Sequence, residues 1–252
     1  MTGFVKRRPA APPGFFGVEA AGLRWLAEAG GARVAAVLEV GTDTLTIERI
    51  SPAAPTEAAA AAFGTALART HDASAAAFGS GPDGWQGDGY IGDAPLPLHP
   101  TERWGGFYAD QRVLPYARTA HRAGALSDAG LAIVQRLCER LRAGDFDDDA
   151  PPARLHGDLW SGNVLWSPDG VVLIDPAAHG GHRITDLAML ALFGSPFLAT
   201  VLEAYESASS HLPPRWRELI ALHQVHPLLV HAQLFGGGYG SQAAAAARRY
   251  SA

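Results

Sequence analysis

"LHGDLWSGNVLWSPDGVVLIDPA" (residues 155–177) sets three oxygen-bearing side chains at fixed offsets: Asp158, Asn163 five residues later, and Asp175 after an apolar run. "NVLW" and "VVLI" have the length and composition of short strands, and "SPDG" between them reads as a turn. A lone Asp or Asn in such a place is usually a turn residue. The three together suit phosphoryl transfer, where an acceptor hydroxyl must be oriented and deprotonated while a divalent cation holds the donor phosphates. Asp158 suits the first task. Asn163 offers an amide oxygen and Asp175 a carboxylate oxygen to a hard cation such as Mg²⁺.

The order H-G-D-x-x-x-x-N, then a strand ending in Asp, matches the catalytic loop and metal-binding Asp of protein kinases. Here "HGD" replaces H-R-D and "DPA" replaces D-F-G. Gly157 stands where many protein kinases carry an Arg that senses a phosphorylated activation loop. That points to a small-molecule acceptor without such control.

The rest of the chain sets bounds. Its 252 residues, 48% hydrophobic and 18% charged, suit one large or two small soluble globular units. A net charge of −5 with no Lys/Arg block disfavours a nucleic-acid or anionic-membrane partner. The single Cys138 excludes an internal disulfide and a Cys-rich zinc site, so a reduced, cytoplasmic setting is expected. No apolar stretch is long enough to span a bilayer, and "MTGFVKRRPAAPPGFF" lacks the apolar centre of a signal peptide. His223, His226 and His231 do not share a clean helical face, so no zinc site is expected there.

The periodicity predicts an amphipathic helix over 16–31, then strands "RVAAVLEV" and "TLTIERI" joined as a hairpin. "SPAAP" (51–55) marks a hinge, and Thr56 caps a helix running to about His71. Residues 79–106 read as a long irregular loop. Helices are expected over 104–124 and, capped by Ser127, over 127–144. From about Ile184 onward the chain reads as helical. The class is α+β in two lobes: residues 1–52 a partial nucleotide-binding lobe, 53–252 a larger, mainly helical catalytic and substrate-binding lobe.

At this point the chain resembles the fructosamine kinase (ketosamine-3-kinase) family, relatives of aminoglycoside and choline kinases with a protein-kinase-like fold. "HGDLWSGN" (156–163), "LIDPAAHGG" (173–181), "TDLAMLALFG" (185–194) and "LVHAQLFGGGY" (229–239) carry the likeness, helped by "FVK" (4–6), "EAAGLRWL" (19–26) and "WGGFYADQR" (104–112). The resemblance implies Asp158 as catalytic base and Asn163 and Asp175 as Mg²⁺ ligands. It implies Lys6, the only Lys, on the ATP phosphates and paired with Glu19. Backbone from Glu48 to Ile50 would bind adenine. Asp186 would brace the catalytic loop by accepting backbone N–H bonds, and His156 is read as a structural hydrogen-bonding residue. Trp160 is the candidate for packing on a sugar or polyol, with Trp104, Tyr108 and Arg112 as further substrate-side candidates.

Two departures stand out. The family normally has two strands and a phosphate-covering loop before the Lys strand, where this sequence has only "MTGF", so the small lobe reads as truncated with an exposed strand edge. The run after "DPA" is usually Gly-Asp-Arg-Glu-x-Asp, whereas this chain has "GHRITD" (181–186). The resemblance implies an ATP- and Mg²⁺-dependent kinase acting on a sugar hydroxyl of fructosamine- or ribulosamine-type adducts of amines or protein lysines, with a deglycation role. The alternatives are an aminoglycoside- or choline-type kinase and an inactive kinase-like binding protein. Oligomeric state stays open.

Overall fold

The computed structural model describes residues 3–252. Strand β1 (Gly3–Arg7) leads to helix α1 (Phe15–Glu28), and then to β2 (Val37–Val40) and β3 (Thr44–Glu48). The three strands form one antiparallel sheet in the order β1-β3-β2, with Lys6 opposite Leu45. Phe16, Ala20, Leu23 and Leu26 recur at helical spacing in α1 and bury its inner stripe.

Helix α2 (Glu57–Asp72) starts where Thr56 Oγ1 accepts the Ala59 N–H at 3.2 Å. The predicted irregular loop 79–106 in fact contains a small hairpin, β4 (Gly89–Ile91) with β5 (Ala94–Leu96). Pro95 and the glycines at 89 and 92 obscure its strand pattern. A two-stranded hairpin tolerates the proline because both strands are edges. Helix α3 (Trp104–Phe107), a π-helical turn (Tyr108–Val113) and α4 (Leu114–Arg122) run on as one rod. Helix α5 (Asp128–Ala143) is capped by Ser127 Oγ, which accepts the Gly130 N–H at 3.1 Å, and is closed by Gly144 at φ 88°.

The motif region is a run of short strands. β6 (Ala153–Leu155) precedes the 156–163 loop, and β7 (Val164–Ser167) and β8 (Gly170–Leu173) form the hairpin that "SPDG" predicts. β9 (His179–Gly181) pairs antiparallel with β6, a strand that "HGG" does not announce. The remainder is helical: α6 (Ile184–Phe193), α7 (Leu198–Ala208), α8 (Ile220–His223), α9 (Val225–Phe235) and α10 (Tyr239–Arg248). A Cβ on Gly64 of α2 would sit 2.2 Å from the Val201 carbonyl of α7, so these helices touch backbone to backbone.

Two apolar cores form. One joins α1, the three-stranded sheet, β8, α2, α6 and α7 through Phe16, Leu45, Phe63, Val172, Leu187 and Tyr205. The other fills the helical lobe through Phe107, Val134, Leu137, Leu228 and Leu229. A division at residue 52 does not part the cores. The Ala35 N–H donates to the Leu173 carbonyl at 2.9 Å and the Leu173 N–H to the Arg33 carbonyl at 2.8 Å, fusing the small sheet to the motif hairpin. Among the described residues no helix is long and apolar enough to cross a membrane.

Candidate active site

The 156–163 loop is held from beneath. The Asp186 carboxylate, fully buried near the start of α6, accepts the His156 N–H at 2.7 Å and the Gly157 N–H at 2.9 Å. Gly157 has φ 82°, and a Cβ there would lie 2.1 Å from the Ala177 carbonyl oxygen, so only glycine fits. His71 Nε2 lies 3.2 Å from Asp186, and its Nδ1 lies 2.7 Å from the Tyr205 hydroxyl. Burial pushes the His71 imidazole below its ordinary pKa, so it is neutral. An ionised Asp186 can only accept, which sets the tautomer: Nε2–H donates to Asp186, and the Tyr205 O–H donates to Nδ1. Burial alone would raise the Asp186 carboxyl, but its His71 and backbone donors outweigh that and hold it below the usual carboxylate value. His156 is also buried, with Nε2 donating to the Ile174 carbonyl at 2.8 Å and Nδ1 accepting the Asp158 N–H at 3.3 Å. Both ring nitrogens are thus occupied structurally.

Above this base the charged groups converge. Asn163 Nδ2 donates to the Asp158 carbonyl at 2.8 Å, to Asp158 Oδ2 at 3.1 Å and to the Asp175 carbonyl at 3.4 Å. Lys6 Nζ bridges Glu19 Oε1 at 2.6 Å and Asp175 Oδ1 at 3.0 Å. Burial pushes the Asp158 carboxyl up to about 6. The Asn163 bond opposes this, and the charges of Asp175 and Asp186 add to it. Burial likewise raises Glu19, against the pull of Lys6. Asp175 itself sits at φ 54°, a left-handed conformation that a non-glycine residue holds only when its surroundings enforce it.

Lys6, Glu19, Asp158, Trp160, Asn163 and Asp175 all line one cavity of about 550 Å³. A second, of about 350 Å³, meets it at Asp175 and is lined by Phe4, Ile47, Glu48, Ile50, Leu165 and Ile174. The Glu48 side chain pairs with Arg33, and its N–H donates to the Ala36 carbonyl at 2.7 Å.

Of the substrate-side candidates only Trp160 lies at the cleft, half-exposed at its mouth. Trp104, Tyr108 and Arg112 line neither cavity, and this corrects the sequence expectation. Their i, i+4, i+8 spacing does put them on one helical face, but that face is buried in the helical lobe. Trp104 stacks on Tyr108 (5.0 Å between ring centroids) and on His223 (4.7 Å). The Tyr108 hydroxyl lies 3.0 Å from the Leu222 carbonyl and 3.2 Å from the His226 N–H that donates to it. Arg112 donates to the Pro97 carbonyl at 2.9 Å and packs over the Phe107 ring.

Sequence reasoning missed the roof of the cleft. Tyr90 and Asp93, on the β4–β5 hairpin, line the cavity with Arg8 and Phe15. Arg8 Nη1 meets Asp93 Oδ1 at 2.7 Å, and the Tyr90 O–H donates to the Pro13 carbonyl at 3.3 Å. "YIGDA" was the available signal, a Gly-Asp turn between apolar residues. Nothing local announces His71 or Tyr205.

The sequence profile of the fructosamine kinase family matches residues 2–251. A probable ketoamine kinase of Thermus thermophilus is 34% identical over 236 residues, 93% of this chain and 82% of that protein. Another, of Synechocystis, is 37% identical over 183 residues; the match takes in 72% of this chain and 58% of that relative, less than two thirds of its length. A crystal structure from Thermobifida fusca, assigned as a fructosamine-3-kinase, superposes with a TM-score of 0.90 at 47% identity, covering 99% of this chain and 85% of that one. A choline kinase of Streptococcus pneumoniae, 16% identical with a TM-score of 0.60 and covering 99% of this chain and 85% of its own, shares the fold. The fold is thus the two-lobe protein-kinase-like one, and the chain is a phosphotransferase that belongs to the fructosamine kinase family.

Proposed function

We propose that this chain uses ATP and Mg²⁺ to phosphorylate a sugar hydroxyl of ketosamines, the fructosamine- or ribulosamine-type adducts of amines. The observation that carries this reading is Asp158. Its carboxyl is raised to about 6, and it faces the same cavity as Lys6 and Asp175. A carboxylate with that affinity for a proton can orient an acceptor hydroxyl and take its proton late in the transfer.

The smaller cavity suits a purine between Phe4, Ile47, Leu165 and Ile174, with backbone from Glu48 to Ile50 as its polar edge. Lys6, already held by Glu19, would meet the donor phosphates beside Asp175. The donor set fits Mg²⁺. Among the described residues the three side-chain hydrogen bonds of Asn163 all use its Nδ2, which leaves its amide oxygen to coordinate beside the Asp175 carboxylate. Among the described residues no group of three or more His, Cys, Asp or Glu could cage a metal. Mg²⁺ needs none, because it binds through one or two protein oxygens together with substrate phosphates. When bound, it would neutralise charge on those phosphates. Trp160 offers its face to the sugar at the cleft mouth. Phosphorylation makes such adducts unstable, so a deglycation role follows from this reading.

The test is an ADP-release assay with Mg-ATP and a fructosamine or ribulosamine, run beside Asp158→Asn. Ketosamine-dependent release that the variant loses is the expected result. No release from folded protein with any ketosamine, but release with choline or an aminoglycoside, would replace the substrate assignment.

A further inference from the structure

Rings from three separate elements form a chain of contacts that begins at Trp160, on the cleft. Trp160 comes from the 156–163 loop, Phe193 ends α6, and His231 and Phe235 stand one turn apart on α9. Trp160 meets Phe193 edge to face at 6.4 Å; Phe193 lies 4.8 Å from His231, and His231 lies 5.4 Å from Phe235. His231 Nδ1 lies 2.8 Å from the Pro227 carbonyl, a bond that fixes the ring between its neighbours. The rings form one ridge, and it faces solvent: Trp160 is 41% exposed, Phe193 37% and Phe235 68%. Among the described residues the large exposed hydrophobics otherwise comprise Phe197, in the loop after Phe193, and a group on the small sheet. Leaving such rings in water is unfavourable, and contiguous exposed apolar residues mark binding surfaces.

We propose that this ridge binds the amine-side group of the acceptor, and that the preferred group is aromatic or apolar. The proposal rests on the ketosamine reading above. Two features choose this occupant. First, the ridge is continuous with the cleft, because Trp160 lines the cavity beside Asp158 and is also the first ring of the ridge. A sugar whose hydroxyl reaches Asp158 must send its amine substituent out of the mouth. Second, the β4–β5 hairpin that lines the same cavity reaches the α9 end of the ridge. The β4–β5 tip is latched to the small lobe by Arg8–Asp93 and rests on α9, where a Cβ on Gly92 would lie 3.3 Å from Leu234 Cδ1. Leu234 precedes Phe235 in α9, so the far end of the ridge lies beside that tip. A protonated secondary amine emerging there meets the ring faces favourably, and an aryl group stacks further along. The ridge is also rigidly tied to the chemistry, because α6 carries both Phe193 and the Asp186 brace.

The experiment is calorimetric titration of the protein, with Mg²⁺ and a non-hydrolysable ATP analogue, by two fructosamines, one made from phenethylamine and one from ethanolamine. The aromatic adduct should bind about tenfold more tightly. In Phe193→Ser/Phe235→Ser that ratio should fall to about one, with melting temperature and molar mass recorded for both proteins. Equal affinities in the wild-type protein, or a ratio the double variant leaves intact, overturn the proposal. So does failure of both adducts to bind. A dimer that the double variant abolishes, with the ratio unmoved, would make the ridge a contact between copies instead. A tenfold ratio without ADP release would remove the kinase assignment and leave the ridge standing.

Discussion

His71 and Asp186 lie 115 positions apart in the chain, yet their side chains meet at 3.2 Å with neither exposed to solvent. The pair couples α2 to the 156–163 loop, because the same carboxylate holds the amides of His156 and Gly157. Removing the histidine leaves a buried carboxylate short of a donor, which is costly. His71→Leu should therefore destabilise the protein by about 2–4 kcal/mol and speed hydrogen exchange at the His156 and Gly157 amides. It should lower kcat about tenfold with little change in KM. His71→Gln, which can still donate, should recover part of each effect. Exchange at 156 and 157 that stays at the wild-type rate in a folded His71→Leu protein would remove the brace role.

Asp158→Asn keeps shape and removes a charge that burial opposes. Turnover should fall by about 10²–10⁴, while KM for ATP stays within about twofold and the melting temperature does not drop. Steady-state kinetics and a thermal melt suffice. Turnover within a factor of ten of wild type would take the base role from Asp158.

Lys6 and Glu19 form a pair that loses differently from its two ends. Lys6→Met strands a carboxylate that burial already raises, leaving Glu19 without the cation that opposes that rise. Activity should fall about 10²-fold or more. Adding Glu19→Gln should restore about 1 kcal/mol of the stability lost in Lys6→Met, because the buried charge is gone. Denaturant midpoints of the two variants decide this; a double variant less stable than Lys6→Met would contradict it.

His226 predicts a pH dependence. Its Nε2 is buried without a partner, its ring meets Tyr116 edge to face at 4.9 Å, and Arg112, His179 and His231 all disfavour its protonation. Burial is the largest cause, and the folded pKa lies well below 6.5. The unfolded chain therefore binds the extra proton first. Stability from this group is complete above about pH 6.5 and is lost as pH falls, at up to about 1.4 kcal/mol per unit. His223, also buried and lowered, adds in the same direction. Urea midpoints at pH 7.5 and 5.5 should show the drop, and His226→Phe should flatten it. An unchanged slope in the variant would assign the dependence elsewhere.

Much of the fold was legible because it rests on local rules. Thr56 and Ser127 begin helices because their hydroxyls accept amides three residues on. "SPDG" turns the β7–β8 hairpin, and the spacing of Asp158, Asn163 and Asp175 is short enough for one loop and one strand pair to bring them together. Lys6 and Glu19 stand out only through likeness to a family, since nothing in their spacing says that β1 and α1 bring their side chains together at 2.6 Å.

Other features were settled only by packing. Trp104, Tyr108 and Arg112 share a face that periodicity reveals, but whether the face looks into a cleft or into a core depends on α9 and the 222–223 segment, far along the chain. The β6–β9 pairing, the cleft roof at Tyr90 and Asp93, the Tyr205–His71–Asp186 chain and the ring ridge all join residues distant in sequence. By itself the sequence determined the close grouping of Asp158, Asn163 and Asp175, the caps and the turns, because backbone sterics and short-range hydrogen bonds act over a few residues. The tertiary structure decided which polar groups meet, which aromatics are left in water and which face of each helix is buried, because those follow from how whole elements fill space against one another.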